Sequence, residues 1–224
     1  MLPVIPLGDA VAFPPFPIDF ESDNENIAPA IDAASATGML VFLVADDPDS
    51  ADQAYPDNLC RVGTVAKIRQ SIKNDDGGFH LICECRARAS AVEYRKVGKT
   101  VTASLICKEI SLADNGGLRG EAYCRELRAA LEEMLAFVGK ASSAIRTEAA
   151  KINDPALLSD FIASAVLVRS ADKQAVLSEY DPFDRCALLV HILKEECDLM
   201  RYEHEIQDKA RGRIVQGQRE YYLR

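Results

Sequence analysis

The sequence lacks the motifs by which common metal-dependent and nucleophilic enzymes are recognised. Its seven cysteines form no C-x-x-C pair, its three histidines form no H-E-x-x-H motif, and there is no G-x-S-x-G segment. The first two spacings bring zinc ligands together, and the third presents a serine nucleophile at a sharp turn. The residues alone therefore show no active site, and we predict no catalytic residue, cofactor-binding residue or metal ligand.

Two short patterns resemble functional motifs without their usual context. The segment RKVGKT, Arg95 to Thr100, ends like a phosphate-binding P-loop, but Glu93 stands where the motif needs its first glycine. A strand is predicted after it, whereas a P-loop opens a helix whose amides hold the phosphate. We interpret this segment as a turn. His191 and Glu195 are one helical turn apart, and we interpret them as a solvated pair because no third metal ligand is evident.

The chain also lacks a positive charge excess and a long apolar run. Its formal net charge is −9, which argues against general nucleic-acid binding, since phosphates require a basic face. The longest apolar run, residues 39–45, is too short to cross a bilayer, and the first residues lack the pattern of a signal peptide. We expect no membrane partner and a cytoplasmic location. In that reducing compartment Cys83 and Cys85 would share a buried strand face as small hydrophobic residues.

Strand patterns dominate residues 1–115. The turn KNDDGG between two alternating runs predicts a β-hairpin. One helix is predicted over Glu25–Ala36, and Gly38 is a plausible stop signal for it. The runs that predict strands are, in chain order, LPVIPL, DAVAF, MLVFLVA, LCRVGTVAKIRQSI, GFHLICECR, RASAVEY and TVTASLICKEI.

Helical periodicity dominates residues 116–224. A weak helix is predicted over Ser142–Ile152. The pairs Asp154-Pro155 and Asp181-Pro182 each combine an N-cap with a first helical residue, and Asp172 is predicted to cap a short helix between them. The first helix of this half is amphipathic and closed by Gly139, and its apolar face comprises Tyr123, Leu127, Ala130, Leu131, Met134 and Val138.

The last predicted helix, residues 183–224, contains no proline and would be roughly 60 Å long at 1.5 Å per residue. Its apolar residues are dense as far as Leu199 and Met200, then sparse. Gly212 and Gly217 would weaken it in isolation, so we expect its far end to be supported by another chain or module. The helix has no closing signal, which suggests the front part of a longer protein. The predicted fold class is α+β, with a β-rich lobe followed by a helical lobe that ends in this helix.

From end to end, the sequence resembles the N-terminal region of ATP-dependent Lon proteases. The resemblance lies in the order and spacing of LPVIPLGDAVAFP, VGTVAKIRQSIKNDDGGFHLICECRARA, LSDFIASAV with KQAVL, and QREYYLR. It implies a PUA-like β lobe and a helical lobe. It also implies that an AAA+ ATPase and a Ser-Lys serine protease domain follow QREYYLR in the parent protein. ATP and Mg²⁺ would then act only in that missing ATPase, and this chain would not be an enzyme.

The resemblance implies that the chain captures unfolded, damaged or tagged proteins and helps to assemble a hexamer through its long helix. A capture surface should expose a modest apolar patch. In FPPFPIDF we predict protein binding by Pro15, Phe16, Pro17 and Ile18, while Phe13 and Phe20 are expected to close the end of the β-lobe core. Relatives usually have a basic residue in this region, whereas FPIDFESDNENI is acidic, which bears on substrate preference.

Three further interpretations remain open from the sequence. The tip of the predicted hairpin, with Asp76 and Gly77, is a second candidate for protein binding, although a plain solvated turn explains it as well. The residues predicted to mediate oligomerisation are Ile206, Ile214, Tyr221 and Tyr222. The alternative to a Lon protease region is a standalone PUA-like protein that reads a ligand or an adaptor.

Overall fold

A computed structural model confirms the predicted α+β class, with a sheet followed by helices. It describes residues 1–50, 53–75, 77–108, 110, 112–138 and 142–222, without the side chains of 138, 142, 207, 208 and 210–222. The strands are β1 (Leu2–Pro6), β2 (Pro17–Ser22), β3 (Leu40–Val44), β4 (Val62–Lys73), β5 (Phe79–Val97) and β6 (Thr100–Cys107). The helices are α1 (Ile27–Ala34), α2 (Gly117–Val138), α3 (Ser142–Lys151), α4 (Pro155–Val166), α5 (Ser170–Ser178) and α6 (Pro182–Tyr222).

The six strands form one sheet that closes on itself through its longest strand. The order is β2-β5-β4-β3-β1-β6, and β6 pairs again with β5. The first part of β5, from Phe79 to Glu84, pairs with β2, and the part from Ala89 to Val97 pairs with β6. Closure leaves few open edges, which protects a sheet from pairing with other chains. We call the sheet together with α1 the β lobe.

The core of the β lobe has two clusters. One is covered by α1, whose Ile27, Ala30 and Ala34 pack against residues of β1, β3 and β5. Gly38 follows with φ of 68°, a left-handed conformation that glycine adopts without strain, and it turns the chain into β3. The stop signal predicted at this glycine is thus confirmed. The second cluster is built around Phe42.

The helices α2 to α6 form a helical lobe around a core of their own. The buried face of α2 matches the predicted positions where it is described, with Leu127, Leu131 and Met134 almost fully shielded. The predicted closure at Gly139 and the side chain of Val138 lie outside the described residues. In α6, Leu189 and Leu193 are buried, whereas Leu199 is 51% exposed. Cys197 is buried in the same core and Met200 packs against it, so the packed part of α6 extends to the end of the dense apolar stretch that the sequence predicts.

Several strand predictions are confirmed and two are wrong. The hairpin of β4 and β5 forms, and its turn is closed by bonds from the Asn74 amide to the Gly78 carbonyl (2.8 Å) and from the Gly77 amide to the Asn74 carbonyl (3.1 Å). GFHLICECR and RASAVEY are one continuous strand rather than two. DAVAF is not a strand, because Phe13 turns away to pack in the helical core. The turn predicted in RKVGKT is confirmed at Gly98 and Lys99, between the end of β5 at Val97 and the start of β6 at Thr100.

The predicted aspartate caps are confirmed at two of three positions. Asp154 accepts hydrogen bonds from the amides of Ala156 and Leu157 at the start of α4. Asp181 accepts from the amide of Phe183 at 2.8 Å at the start of α6. The prediction for Asp172 is wrong, because α5 begins two residues earlier and Asp172 lies in its first turn, paired with Arg169 at 2.7 Å.

Residues of the β lobe and of the helical lobe contact each other directly. The change from strands to helices occurs just before α2, near residues 115 and 116. The division of the chain into two domains at that point stays a prediction. Phe13, in the loop between β1 and β2, is buried among residues of the helical lobe. In the other direction, the side-chain amide of Gln174 in α5 donates to the carbonyl of Val62 in β4 at 2.9 Å. These contacts hold the two lobes against each other, and Phe13 packs in the helical core rather than in the β-lobe core that the sequence predicted for it.

Candidate functional site

The loop predicted to bind protein lies where the two lobes meet. Phe16 is half-buried and packs against Phe161 of α4, with ring centroids 5.7 Å apart. Pro17 and Ile18 belong to β2 rather than to an exposed loop, and Ile18 packs in the β-lobe core. Pro15 is exposed and borders the cavity described next. The assignment of these four residues to protein binding stays a prediction, and their positions favour Pro15.

A cavity of about 240 Å³, which we call the interlobe pocket, lies between the β lobe and the helical lobe. The loop before β2 forms one side through Pro14 and Pro15. The middle of β5 and the segment after β6 form the second side, and the start of α4 forms the third. The elements converge here because β5 is long enough to extend beyond its pairing with β2 and reach α4.

The floor of the interlobe pocket is a buried cluster of two arginines and one aspartate. Both terminal nitrogens of Arg88 bond to the carboxylate of Asp160, Nη1 at 3.0 Å to Oδ2. The Nε of Arg185 lies 3.3 Å from Oδ1 of the same carboxylate. All three side chains are at most 9% exposed. This cluster joins β5 to α4 and α6, since a buried charge needs a partner.

Backbone and hydroxyl groups hold the two arginines from behind. Arg88 donates through Nε to the carbonyl of Leu177 at 2.9 Å. Arg185 donates to the Ser159 hydroxyl at 3.1 Å and to the carbonyl of Glu179 at 2.9 Å. Burial raises the pKa of Asp160, and the two guanidiniums oppose that shift. Burial lowers the pKa of Arg185, which Asp160 opposes in turn.

The rim of the interlobe pocket carries two further cations. Arg86 and Lys108 are exposed, and within the described ranges neither makes a hydrogen bond or an ion pair. With Arg88 and Arg185 they face two carboxylates, Asp154 and Asp160, which leaves a local excess of positive charge. In a chain of net charge −9 this concentration of cations is a distinct feature.

The other predicted site residues lie elsewhere. Gly77 is at the tip of the hairpin with φ of 95°, and it does not line the interlobe pocket. Asp76 lies outside the described residues. Ile206 is 66% exposed on α6, as an oligomerisation residue would be. The side chains of Ile214, Tyr221 and Tyr222 lie outside the described part of the structure, so their predicted role stays a prediction.

An apolar stripe on α6 includes residues that the sequence did not single out. Leu199, Tyr202 and Ile206 are all at least half exposed. Their spacing of three and four residues places them on one face of the helix. Salt bridges from Lys194 to Glu126 (2.6 Å) and from Arg201 to Glu133 (3.5 Å) attach the adjacent part of α6 to α2.

The histidine and cysteine side chains that the sequence raised as possible ligands or nucleophiles can be placed in the described part of the chain. It contains no cluster of three His, Cys, Asp or Glu residues suited to a metal ion. His191 and Glu195 form an exposed pair at 3.3 Å, as the sequence predicted. Cys83 and Cys85 are buried on one strand face, and burial raises the pKa of each thiol to about 12. Such thiols stay protonated and are poor nucleophiles.

Sequence reasoning missed the arginine–aspartate cluster. A weak signal exists in LSDFIASAV, where Asp160 is an ionisable residue within an apolar helical run. Arg86 and Arg88 are two residues apart in CRARAS, which places them on one face of a strand. This spacing does not indicate which residues they contact. The partners of Arg88 are 72 and 89 residues away along the chain, and periodicity carries no information over that distance.

The sequences of known proteins place the chain among Lon protease segments. The chain is 30% identical over 222 residues to the Lon protease of Escherichia coli strain K12, covering 99% of this chain and 28% of that protein. It is 27% identical over 223 residues to the Lon protease of Heliobacterium modesticaldum, covering 100% of this chain and 27% of that protein. The chain thus spans less than a third of the length of these relatives.

Solved structures show the same fold. The N-terminal domain of Mycobacterium avium complex Lon protease superimposes with a TM-score of 0.70 at 19% identity, covering 86% of this chain and 97% of that one. A Lon N-terminal domain protein from Xanthomonas campestris gives a TM-score of 0.56 at 18% identity, covering 85% and 96%. No helix in the described ranges is long and apolar enough to cross a membrane. The sequence model of one protein family, the ATP-dependent protease La (LON) substrate-binding domain, matches residues 1–195, and the chain therefore belongs to this family.

Proposed function

We propose that this chain is the substrate-recognition region of an ATP-dependent Lon serine protease and that it captures unfolded, damaged or tagged proteins. The match of residues 1–195 to a substrate-binding domain carries the proposal. The interlobe pocket supports it, because a cleft between two lobes is a usual place for a ligand. ATP hydrolysis with Mg²⁺ and peptide cleavage by a Ser-Lys dyad are assigned to the rest of the parent protein, which we place in the cytoplasm.

Capture predicts a preference for unfolded over folded protein. The probe would be a fluorescently labelled protein whose fold depends on its disulfide bonds. Reducing these bonds and blocking the thiols with iodoacetamide keeps the protein unfolded without adding charge, and the native form of the same protein would serve as the control. We expect fluorescence anisotropy to show binding of the unfolded probe at least about tenfold tighter than binding of the native one, a difference of about 1.4 kcal/mol. Equal binding of both forms, or no binding of either, would refute capture by this region.

Self-association through α6 is the second part of the proposal. The observation that favours it is the exposed stripe of Leu199, Tyr202 and Ile206 on one helix face. Helices with such a stripe associate by packing it against a second copy. We expect a monomer in weak equilibrium with a dimer, since the stripe is short.

Sedimentation velocity over a range of concentrations tests this equilibrium. The double variant Tyr202→Glu with Ile206→Glu places negative charges on the stripe and is expected to abolish the dimer. The control is a double variant at the two glutamates between these positions, Glu203→Gln with Glu205→Gln, which should leave the dimer intact. If the double variant associates as strongly as the parent chain, α6 does not form the contact.

A further inference from the structure

We propose that the interlobe pocket binds a carboxylate group of the captured protein, with the apolar part of the neighbouring residue against its proline wall. The inference rests on the proposed function and adds the chemistry of the ligand. The carboxylate can be the end of a polypeptide chain or the side chain of Asp or Glu. Four cationic side chains, a fixed floor and a partly apolar wall together lead to this assignment.

The rim cations are the first element of the argument. Arg86 and Lys108 have no ion-pair partner within the described residues, although carboxylates outnumber cations along the chain by 35 to 26. They therefore keep their full charge available to a ligand. Guanidinium and ammonium groups form charge-assisted hydrogen bonds with carboxylates that are about twice as strong as neutral ones.

The second element is the rigidity of the floor. Arg88 and Arg185 are held by Asp160, by the Ser159 hydroxyl and by two backbone carbonyls, so their orientation does not change when a ligand arrives. Each guanidinium has five N–H donors, and these bonds use only part of them. Preorganised donors reduce the entropy that binding would otherwise cost.

The wall and the size of the pocket select among anions. Pro14 and Pro15 contribute apolar surface on the side of the loop and Leu157 on the side of α4, and Ile110, 48% exposed, contributes it on the side that follows β6. About 240 Å³ accommodates one or two residues of an extended segment. A polyphosphate has no apolar part to place against this wall, and its several negative charges are repelled by the net charge of −9 more strongly than the single charge of a carboxylate. A peptide carboxylate matches both the cations and the wall.

Three labelled peptides of one sequence separate the sources of the carboxylate. The first has a free C-terminus and no acidic residue, and the second has a C-terminal amide and one internal Glu. The third has an amide and Gln in place of Glu, and so carries no carboxylate. We expect the first, the second or both to bind the intact chain at least about tenfold tighter than the third, with weaker binding as salt increases. Equal affinity for all three would overturn the inference.

A pair of variants ties that binding to the pocket. Arg86→Glu with Lys108→Glu changes two exposed side chains and should reduce the affinity for the carboxylate peptides to that of the third peptide. Lys96→Glu with Lys99→Glu makes the same change of net charge at exposed positions outside the pocket, and it should retain the binding. If both double variants lose the same affinity, the effect is one of net charge and the site is elsewhere. Displacement by polyphosphate at lower concentration than by peptide would identify a phosphate site instead.

The outcomes distinguish this inference from the proposed function. Suppose that the unfolded probe binds and the three peptides do not differ: capture stands, and recognition of a carboxylate is wrong. Suppose instead that a carboxylate peptide binds through Arg86 and Lys108 while unfolded protein does not. The pocket is then a carboxylate site, and the general capture of unfolded protein is wrong.

Discussion

Replacement of Asp160 with asparagine is expected to reduce the free energy of unfolding by about 3–5 kcal/mol, the cost of leaving buried charges without their partner. Asp160 lies between Arg88 and Arg185, and the three side chains are almost fully buried. An asparagine of the same size keeps the shape but supplies neither the charge nor two acceptor oxygens. The buried guanidiniums of Arg88 and Arg185 would then lose the carboxylate that they share. Urea unfolding followed by circular dichroism measures the loss.

The control for this prediction is an exposed ion pair. Asp198 bonds to Arg201 at 2.7 Å, with both side chains more than half exposed. Asp198→Asn removes the same charge from a solvated pair and should cost less than about 1 kcal/mol. A loss at Asp160 no larger than the loss at Asp198 would show that water reaches the cluster, and the floor of the interlobe pocket would then not be rigid.

The same cluster explains why the pocket has a defined shape. Arg88 is in the β lobe, whereas Asp160 and Arg185 belong to two helices of the helical lobe. A buried ionic network contributes little net stability compared with apolar packing, but it is strongly directional. We interpret it as the contact that sets the angle between the lobes. Phe13 and Phe16 add apolar packing against the helical lobe from the loop before β2.

Local patterns predicted most of the fold. Asp154-Pro155 and Asp181-Pro182 marked two helix starts, because capping depends on residues two or three positions apart. The hairpin turn KNDDGG was equally local. DAVAF failed because the tertiary contact of Phe13 with the helical core outweighs a weak strand preference. Asp172 failed because α5 begins two residues earlier, so that its carboxylate lies in the first turn and pairs with Arg169.

The candidate site was only partly predictable. The sequence singled out Pro15, which borders the interlobe pocket, because a proline- and aromatic-rich loop is unusual in itself, and its binding role stays a prediction. Arg88 and Asp160 were missed because their contact joins a strand to a helix that is 72 residues away. A binding site formed between two lobes depends on such long-range contacts. The sequence contains the charges, and only the fold shows that four cations surround one cavity.

Replacement of Gly120 with alanine is expected to destabilise the chain by about 1–3 kcal/mol, as overpacking of a tightly packed site does. The usual preference in a helix is the opposite, since alanine is about 1 kcal/mol better than glycine. At this position a Cβ would lie 1.8 Å from the carbonyl oxygen of Asn115, far inside van der Waals contact. Asn115 is part of the left-handed turn that leads into α2, so the turn or the helix start must move.

The control lies two residues further along the same helix turn. Ala122 is exposed, and Ala122→Gly should cost about 1 kcal/mol, the ordinary difference in helix propensity. Thermal unfolding of both variants therefore tests whether glycine gives the more stable protein at residue 120, whereas alanine gives the more stable protein at residue 122. A stabilising Gly120→Ala would mean that the chain before α2 does not approach the helix as closely as 1.8 Å implies. That result would also bear on the interlobe pocket, because Pro155 at the start of α4 is the next neighbour of Gly120, at 3.4 Å from the added Cβ. Pro155 is flanked by Asp154 and Ala156, which line the pocket, so a shift at the start of α2 that displaces Pro155 is expected to alter that side of the pocket.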